Sequence, residues 1–403
     1  MALELNKLTR QVEAMGRALA ARQRDHASLL ELARAALATH AAVTAELRQK
    51  VAAAHQADAS WRGAEPLGAR LDERHAPAAA PQPATLIAAD GSQIYPDRHG
   101  IAPYYLLNTG SIVLRHGSGQ APAVESRPEV FYDDADLYDD AGRPRDPEFV
   151  NSQRDRREIE AVAALAEAER AALGGDLDRP LVALVDGPLL LWTPQRISDR
   201  EVSREVRYFT QQLDRLRRAR SVPFGYVDRP SSANVLRTLE LASVPPAEIT
   251  RDQVRAGPFR QLTDRLLFAD LAPNERTGLF ASTTGLNDRY AAEKHRIAFF
   301  YVNVAQLPGE DYAIIARVEL PAWAAADADL LDLAQHAVYA DCQLTGFPYV
   351  LARAHELAVV SHEERGQFEE MLGQFMLRNG LTPATSFKAG MKGLTAGRGR
   401  RLK

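Results

Sequence analysis

Two aspartates in the sequence follow apolar runs of similar design. The run Leu86–Ala89 ends in Asp90, and the run Leu181–Val185 ends in Asp186. Uninterrupted apolar runs are typical of strands covered on both faces, so we expect each carboxylate to lie close to a low-dielectric core and to need a counter-charge. A glycine follows each aspartate, and an Asp-Gly pair is also a common hairpin turn. Two such sites together predict carboxylates from neighbouring strand ends that share a divalent cation.

A helix predicted over residues 149–173 lies between these two strands in the sequence and can supply a third carboxylate. Its buried face is marked by four apolar residues at helical spacing, Ile159, Val162, Ala166 and Leu173. On a helical wheel, Asp155 and Glu158 fall closer to this face than Glu160 does. An acidic residue beside an apolar stripe is more often at the rim of the core, so position alone does not decide whether the helix supplies a ligand.

A histidine late in the sequence can complete such a site. Pro348 can start a helix whose first turns carry Arg353 and His355. Mg²⁺ and Mn²⁺ prefer oxygen ligands, and Mn²⁺ accepts an imidazole as well. A lone histidine on a helix is often structural. The residue types alone therefore predict an oxygen-rich metal site with an optional histidine, and they do not identify a substrate.

Motifs of several other enzyme classes are absent from the sequence. There is no Gly-x-x-x-x-Gly-Lys-Ser/Thr segment, which argues against a P-loop motor. His355-Glu356 is followed by His362 rather than by a histidine three residues after the glutamate, so the zinc-protease pattern His-Glu-x-x-His is not met. The single cysteine, Cys342, excludes an internal disulfide framework and a cysteine-based zinc site, and it suits a reducing cytosol.

The composition of the 403-residue chain is that of an ordinary globular protein, with a formal net charge of −4. Residues 1–20 carry charged side chains among the apolar ones, which does not fit a signal peptide, and no apolar run approaches the length of a membrane span. We therefore expect a soluble, cytoplasmic protein with no membrane segment. Arginines cluster over residues 215–220, and basic residues cluster over residues 398–403. Such clusters of charge are usually solvated faces or tails.

Composition divides the chain into four parts. Residues 1–75 are predicted to form a helical arm for dimer or partner contacts, with residues 1 to about 60 as one long helix. A coiled-coil seam has the spacing of Leu5, Leu8, Val12, Met15 and Leu19. Arg22 and His26 break this seam, so a short helical hairpin or dimer arm fits better than a long coiled coil. Proline and alanine mark residues 76–85 as a linker. Residues 86–380 contain the main domain, and residues 381–403 form a basic tail that we expect to be flexible.

The pattern in the main domain is strands first, followed by alternating helices and strands. Residues 104–107 and 111–114 are predicted as two strands joined by a turn at residues 108–110. Further strands are predicted over residues 224–227, 298–304 and 313–318, the last two as an antiparallel pair. Helices are expected from Asp327 onward. This order predicts an α/β fold with a mixed β-sheet flanked by helices.

Three segments of the sequence resemble the NurA family of nucleases. They are Ala88–Ser92 and Leu184–Trp192, which contain the two Asp-Gly pairs, and Phe347–Ala358, which contains His355. Phe299–Tyr301 and Arg317–Pro321 also look like family positions. The segments occur in the family's order over roughly residues 85–375. Pro188 departs from the family pattern, since a small polar residue is common after the second Asp-Gly pair, but this departure need not affect a ligand.

The resemblance implies an RNase H-like core and residues that hold metal ions. Carried over residue by residue, Asp90 and Asp186 match the family's two strand carboxylates, and His355 matches its late histidine. These three residues would be the metal ligands, with two Mn²⁺ or Mg²⁺ ions bridged by Asp90. Glu158 is the first choice for the family's helical glutamate, and Glu160 is the second.

The resemblance also implies a function and a partner. Such a nuclease trims 5′ strands from double-stranded DNA ends and cuts single-stranded DNA in double-strand break repair. It is a homodimer that acts with a hexameric HerA-type translocase, which would supply the ATP-driven motor missing from this chain. Two alternatives remain open from the residues. One is a non-catalytic dimeric adaptor of a DNA translocase, and the other is an RNase H-like nuclease acting on RNA or on hybrids.

Overall fold

A computed structural model of the chain describes residues 5–77, 83–97, 100–174, 176–191 and 198–381. Residues 78–82 of the predicted linker, Trp192 and the basic tail after Leu381 lie outside the described residues. Within the described ranges, no helix is long and apolar enough to cross a membrane.

One mixed sheet organises the described part of the chain. Its main path runs in the order β1-β9-β10-β11-β7-β6-β3-β4-β5, and β2 joins through β8, which also pairs with β10. The strands are β1 (Ala64–Pro66), β2 (Arg74–His75), β3 (Thr85–Ile94), β4 (Tyr105–Arg115), β5 (Ala123–Phe131), β6 (Leu181–Asp186), β7 (Ser221–Val227), β8 (Arg276–Thr277), β9 (Phe280–Ser282), β10 (Ile297–Asn303) and β11 (Ile315–Pro321).

Helices precede, separate and follow these strands. They are α1 (Thr9–Thr39), α2 (Ala45–Ala57), α3 (Asp134–Leu137), α4 (Pro147–Ala172), α5 (Asp199–Arg218), α6 (Asn234–Ala242), α7 (Arg251–Arg255), α8 (Asp264–Leu267), α9 (Gly285–Ala292), α10 (Ala322–Ala325), α11 (Ala328–Cys342), α12 (Tyr349–Ala358) and α13 (His362–Arg378). The helix predicted over residues 149–173 is α4, whose N-terminus is capped by the Asp146 carboxylate, which accepts a hydrogen bond from Phe149 N.

The centre of the sheet is parallel and is covered on both faces. β6 pairs in parallel with β3 on one side and with β7 on the other. Leu86 and Ala88 of β3 pack in a core cluster with residues of α11 and α12. Ile87 and Ala89, which alternate with them, pack in a second cluster with residues of α4 and α5. This double cover explains why the apolar run contains no alternating polar residues.

The N-terminal segment differs from the predicted single helix. α1 ends at Thr39, and a second helix begins after Thr44, whose hydroxyl caps it by accepting a hydrogen bond from Leu47 N. Ala33 and Leu37 near the end of α1 are buried in the core, whereas the seam residues Leu5, Val12, Met15 and Leu19 are exposed. β1 and β2, which precede the linker, pair with β9 and β8 of the main sheet. The segment before the linker therefore contributes two strands to the same sheet.

Two predicted strand ends are wrong. β4 is continuous where a turn at residues 108–110 was expected, and β3 continues past Asp90 to Ile94. The glycines that suggested turns serve close packing instead. A Cβ on Gly110 would lie 2.5 Å from the backbone nitrogen of Ala358 in α12, and one on Gly91 would lie 2.8 Å from Oε1 of Glu158 in α4. Each glycine lets a helix approach the strand that carries it.

The predicted α/β class, with a mixed sheet flanked by helices, is confirmed. Its RNase H-like core consists of the neighbouring strands β5, β4, β3, β6 and β7, with α4 and α5 on one face and α12 on the other. The antiparallel pair predicted over residues 298–304 and 313–318 is β10 with β11. This half of the sheet extends the core toward β9 and β1.

Candidate active site

The two predicted strand aspartates lie side by side. The parallel pairing of β3 and β6 extends to Ala89 opposite Val185, so Asp90 and Asp186 are the next residues on neighbouring strands. Both continue the alternation of Leu86, Ala88 and their β6 counterparts, and they therefore lie on the face of the sheet that α12 covers. Asp186 is the last residue of β6 and is exposed, whereas Asp90 is half-buried.

His355 is the side chain of α12 that reaches Asp90. Its Nδ1 lies 2.7 Å from Oδ2 of Asp90, and the other oxygen, Oδ1, accepts a hydrogen bond from Gly91 N at 2.8 Å. An ionised carboxylate only accepts hydrogen bonds, so Nδ1 is the donor in this contact. When the ring is neutral, Nε2 can accept a hydrogen bond or bind a cation. The His355 side chain is 65% exposed, and the Asp90 side chain is 15% exposed.

The position of α12 is set by contacts at its C-terminal end. The Asn108 amide donates to the carbonyl oxygens of Leu357, at 3.1 Å, and Ala358, at 2.8 Å. The Ser92 hydroxyl also donates to the Ala358 oxygen. Helix ends leave carbonyl groups without partners inside the helix, and these two side chains satisfy them. Together with Gly110, they fix the helix that presents His355.

Glu158 enters the site from α4, on the opposite face of the sheet. Its side chain is buried, and its Oε1 lies against the open space above Gly91. Arg154, one turn earlier in α4, forms an ion pair with it, with Nε 3.1 Å from Oε1. The same guanidinium also binds Asp155 and the Gln93 side chain. The positive charge of Arg154 is therefore shared between Glu158 and Asp155, and it does not serve Glu158 exclusively.

The carboxylates of this site repel one another. Burial raises the pKa of Glu158 well above its usual value, Arg154 lowers it, and the charges of Asp155, Asp90 and Asp186 raise it further. The Asp186 side chain reaches solvent, but partial burial of its carboxylate raises its pKa. The negative charge of Asp90 raises it further. His355 acts in the opposite direction on Asp186. Burial is thus the largest cause of both raised pKa values, and the charges of the neighbouring carboxylates add to it.

Glu160, the second choice for the helical carboxylate, lies elsewhere. It accepts a hydrogen bond from the Tyr208 hydroxyl at 3.0 Å, and its Oε2 is 3.7 Å from Arg157. It also lines a cavity of about 440 Å³ between α4 and the strands β4 and β5. Between the two glutamates, the structure places Glu158 beside the aspartates and Glu160 away from them.

Sequence reasoning missed several residues of this site. Asp228 directly follows β7, the third parallel strand, and its charge raises the pKa of Asp186. The signal for Asp228 was present, since the strand predicted over residues 224–227 also ends in an aspartate. Asn108 and Gly110 were assigned to a turn, and Arg154 has no pattern that distinguishes it from other arginines.

The donor set fits a hard divalent cation in its chemistry. Three carboxylates and one imidazole are the ligands that Mn²⁺ accepts, and the crowded negative charge around Glu158 is what a bound cation would offset. Among the described residues, no group of three or more His, Cys, Asp or Glu side chains has the arrangement of a metal site.

Comparison with known proteins places the chain in a family. A search of curated proteins found no match. Among solved structures, the NurA nuclease from Sulfolobus solfataricus is similar to this chain with a TM-score of 0.46 and 12% identity, over 76% of this chain and 88% of that one. The family model of the NurA domain matches residues 84–360, a range that includes Asp90, Glu158, Asp186 and His355. Because this match spans more than half of the sequence, the chain belongs to the NurA family.

Proposed function

We propose that this protein is a metal-dependent DNA nuclease. The observation that supports the proposal is that four candidate residues come from four elements that pack together around the end of the parallel β3–β6 pairing. Asp90 comes from β3, Glu158 from α4, Asp186 from β6 and His355 from α12. All four lie within the range that the NurA family model matches.

The chemistry of phosphodiester hydrolysis accounts for this set of residues. The reaction needs an activated water, a neutralised phosphoryl group and a stabilised leaving oxygen. Bound Mn²⁺ or Mg²⁺, two ions in this proposal, would supply water activation and charge neutralisation. Asp90, Asp186 and His355 would hold the ions, and Glu158 would be the third carboxylate.

The hydrogen bond between Asp90 and His355 orients the imidazole. Because Nδ1 donates to Oδ2 of Asp90, the ring is held with Nε2 directed away from the strand. In the neutral ring, Nε2 can bind a cation. In the protonated ring, it can donate to the leaving oxygen. A carboxylate that holds the other ring nitrogen favours both states, because it fixes the tautomer and stabilises a positive imidazole.

The substrate and the partner follow from family membership in this proposal. The nuclease would trim 5′ strands from double-stranded DNA ends, would cut single-stranded DNA and would act in double-strand break repair. It would work in the cytoplasm as a homodimer with a HerA-type hexameric translocase. The exposed seam of α1 gives the arm a surface for these contacts, since Leu5, Val12, Met15 and Leu19 are not covered by the rest of the described chain.

A nuclease assay on labelled substrates tests the proposal. Duplex DNA labelled at the 5′ or 3′ end, single-stranded DNA, RNA and an RNA–DNA hybrid are incubated with Mg²⁺ or Mn²⁺. We expect cleavage of both DNA forms, loss of activity on chelation, and 5′-to-3′ degradation of the duplex. Preference for RNA or hybrid would favour the other RNase H-like activity. No cleavage of any substrate, together with no Mn²⁺ binding, would favour a non-catalytic adaptor.

A further inference from the structure

The turn that follows Asp186 folds back over the neighbouring strand. Gly187 has a φ of +99°, and its N–H donates to the Tyr226 oxygen of β7 at 2.8 Å. The turn then passes over Gly225, where a Cβ would lie 2.7 Å from Leu189 N and 2.8 Å from the Gly187 oxygen. Gly225 therefore leaves room for the backbone of the turn, which is held close to the sheet.

The carboxylate of Glu319 reaches this turn from β11. Glu319 is paired with Gly225 across the β11–β7 ladder, and the missing side chain of the glycine leaves its path open. Oε2 of Glu319 accepts hydrogen bonds from Leu189 N at 3.0 Å and from Leu190 N at 3.4 Å. Glu319 is only 3% exposed, so these are buried charge-assisted contacts.

A second residue of β11 holds Glu319 in place. Arg317 donates to Oε1 of Glu319 through Nε at 3.0 Å and forms an ion pair through Nη2 at 2.8 Å. Its guanidinium also donates to Oδ1 of Asn234 at 2.8 Å and stacks on the Phe299 ring at 3.6 Å. Because Oε1 is occupied by Arg317, Oε2 is left for the turn.

The turn is also held from the side of α9. The buried hydroxyl of Tyr290 donates to the Leu189 oxygen at 3.2 Å. The Leu189 peptide groups are thus fixed at both polar atoms, N–H by Glu319 and C=O by Tyr290. Asp186 lies at the start of this clamped turn, three residues before Leu189.

We propose that Glu319 is a positioning residue for the candidate active site, because it fixes the turn that aims the Asp186 carboxylate. This inference rests on the proposed nuclease function. A buried ion pair adds little net stability compared with apolar residues of similar volume, so stability alone does not account for Arg317 and Glu319. Their contacts end on the backbone beside Asp186, where small displacements of a ligand reduce metal affinity and rate.

Two double variants separate the effect of the hydrogen bonds that Glu319 accepts from the turn from the effect of the Arg317–Glu319 charges. Arg317→Met with Glu319→Leu removes the ion pair and the acceptor for the turn. Arg317→Met with Glu319→Gln also removes the charges but keeps an amide oxygen that can accept from Leu189 N. Both variants remove the charges of Arg317 and Glu319 together, so neither partner of the pair is left alone in the core and a folded protein is expected. Tyr290→Phe is a milder third variant that releases the Leu189 oxygen.

A matched control removes a similar ion pair at the other end of the sheet. Arg115 and Glu169 form a partly buried pair, with Nε 2.9 Å from Oε2, and Arg115 is opposite Thr85 at the start of β3. Arg115→Met with Glu169→Leu should change thermal stability without affecting metal binding or cleavage. This control shows how much of any change in Mn²⁺ affinity or kcat comes from the loss of an ion pair as such, wherever it lies in the fold.

Three measurements are made on each full-length variant. They are hydrogen exchange at the Leu189 and Leu190 amides, calorimetric titration with Mn²⁺ in the absence of DNA, and kcat and KM on single-stranded DNA. For the leucine double variant we expect faster exchange, Mn²⁺ affinity lowered about tenfold and kcat lowered about ten- to hundredfold, with KM little changed. The glutamine double variant should recover most of each loss, and Tyr290→Phe should give a smaller loss in the same direction.

The proposal is overturned if the leucine and glutamine double variants behave alike, or if the amides exchange faster while Mn²⁺ affinity and kcat stay at wild-type values. Failure of the proposed function has a different signature, since the wild-type protein would then cut no nucleic acid with any divalent cation. In that case the Mn²⁺ titrations of the two double variants still decide whether Glu319 positions Asp186. Absence of Mn²⁺ binding by the wild type as well would overturn both proposals.

Discussion

Nδ1 of His355 and Oδ2 of Asp90 are 2.7 Å apart, which joins α12 directly to the central strand β3. The contact orients the imidazole, and the second oxygen of Asp90, Oδ1, accepts from Gly91 N. Each carboxylate oxygen keeps a further lone pair that can bind a cation. Any variant of either residue changes both the metal ligands and the orientation of the ring.

Replacing either strand aspartate should abolish cleavage and leave the fold intact. Asp90→Ala or Asp186→Ala removes a carboxylate that would hold the cations, and the loss should be roughly a thousandfold in rate. Single-turnover cleavage of labelled DNA with Mn²⁺ measures it, and circular dichroism monitors the fold. Asp329→Ala, at an exposed position in α11, is the control. Substantial activity in both aspartate variants would refute the assignment.

The two glutamates of α4 should differ sharply in activity. Glu158→Gln should lower the cleavage rate by about a hundredfold or more, because it removes a carboxylate beside Asp90 and Asp186. Glu160→Gln should leave activity within about twofold, since Glu160 bonds to Tyr208 and Arg157 instead. The same cleavage assay compares them. Equal losses in both variants would contradict the placement of Glu158 in the site.

The pH dependence of stability should also report on Glu158. Its pKa is raised in the folded protein, so the proton it binds stabilises the fold below the unfolded pKa of about 4.3, and this contribution is lost as the pH rises through the folded pKa. Without divalent cations, Glu158→Gln should therefore melt at a higher temperature than the wild type near pH 8. The difference should shrink toward pH 5. A difference independent of pH would argue against a raised pKa.

Divalent cations should stabilise the wild-type protein against unfolding. A ligand that binds only the folded state contributes about 2.7 kcal/mol at a hundredfold excess over its Kd. Thermal melts with increasing Mn²⁺ should show a rise in Tm that EDTA reverses, and Asp90→Asn should show little of it. Equal Mn²⁺ effects on the wild type and on Asp90→Asn would place the cation elsewhere.

Gly110, which is paired with Asp90 across the β3–β4 ladder, should be needed for α12 to pack against the sheet. In Gly110→Ala the new methyl group would lie 2.5 Å from Ala358 N, so the helix that carries His355 must shift. We expect a destabilisation of about 1–3 kcal/mol and a clear loss of cleavage. Gly366→Ala in α13 is the matched control, because nothing lies within 4 Å of its added Cβ and it should be neutral or slightly stabilising. Denaturant unfolding and the cleavage assay measure both variants.

The exposed seam of α1 should control assembly. Val12→Glu with Met15→Lys places charges on the seam and should lower the dimer affinity or the affinity for a HerA-type partner by at least about tenfold. Arg10→Ala with Arg17→Ala changes other exposed positions of the helix and serves as the control. Sedimentation equilibrium and partner titration provide the readout. These substitutions are preferable to deleting residues 1–75, because that deletion would remove β1, β2 and part of the core.

Local patterns mark the two strand aspartates, whereas Glu158 and His355 were chosen through the family resemblance. Asp90 and Asp186 follow uninterrupted apolar runs, which are typical of strands covered on both faces. Glu158 lies beside the buried stripe of α4, but that position alone did not identify it. Those runs also predicted the parallel centre of the sheet. The positions of the strand ends could not be predicted, because Gly91 and Gly110 look like turn residues until the helices that press on them are known.

Contacts between distant parts of the chain could not be predicted from local sequence patterns. β1 is only three residues long, and its place in the sheet depends on β9, which comes more than 200 residues later. The role of Glu319 depends equally on a strand partner, Gly225, and on a turn after another strand. Neither feature has a periodicity of its own, so only the folded chain reveals it.

The separation of 265 residues between Asp90 and His355 has a consequence for synthesis. A chain leaving the ribosome presents both strand aspartates and Glu158 early, but α12 emerges only after β11 and α11. Until then, His355 is missing and the helix-facing side of β3 and β4 is uncovered. The proposed nuclease would therefore acquire its last catalytic group as its fold closes, so that unfinished or truncated chains carry no complete cutting site.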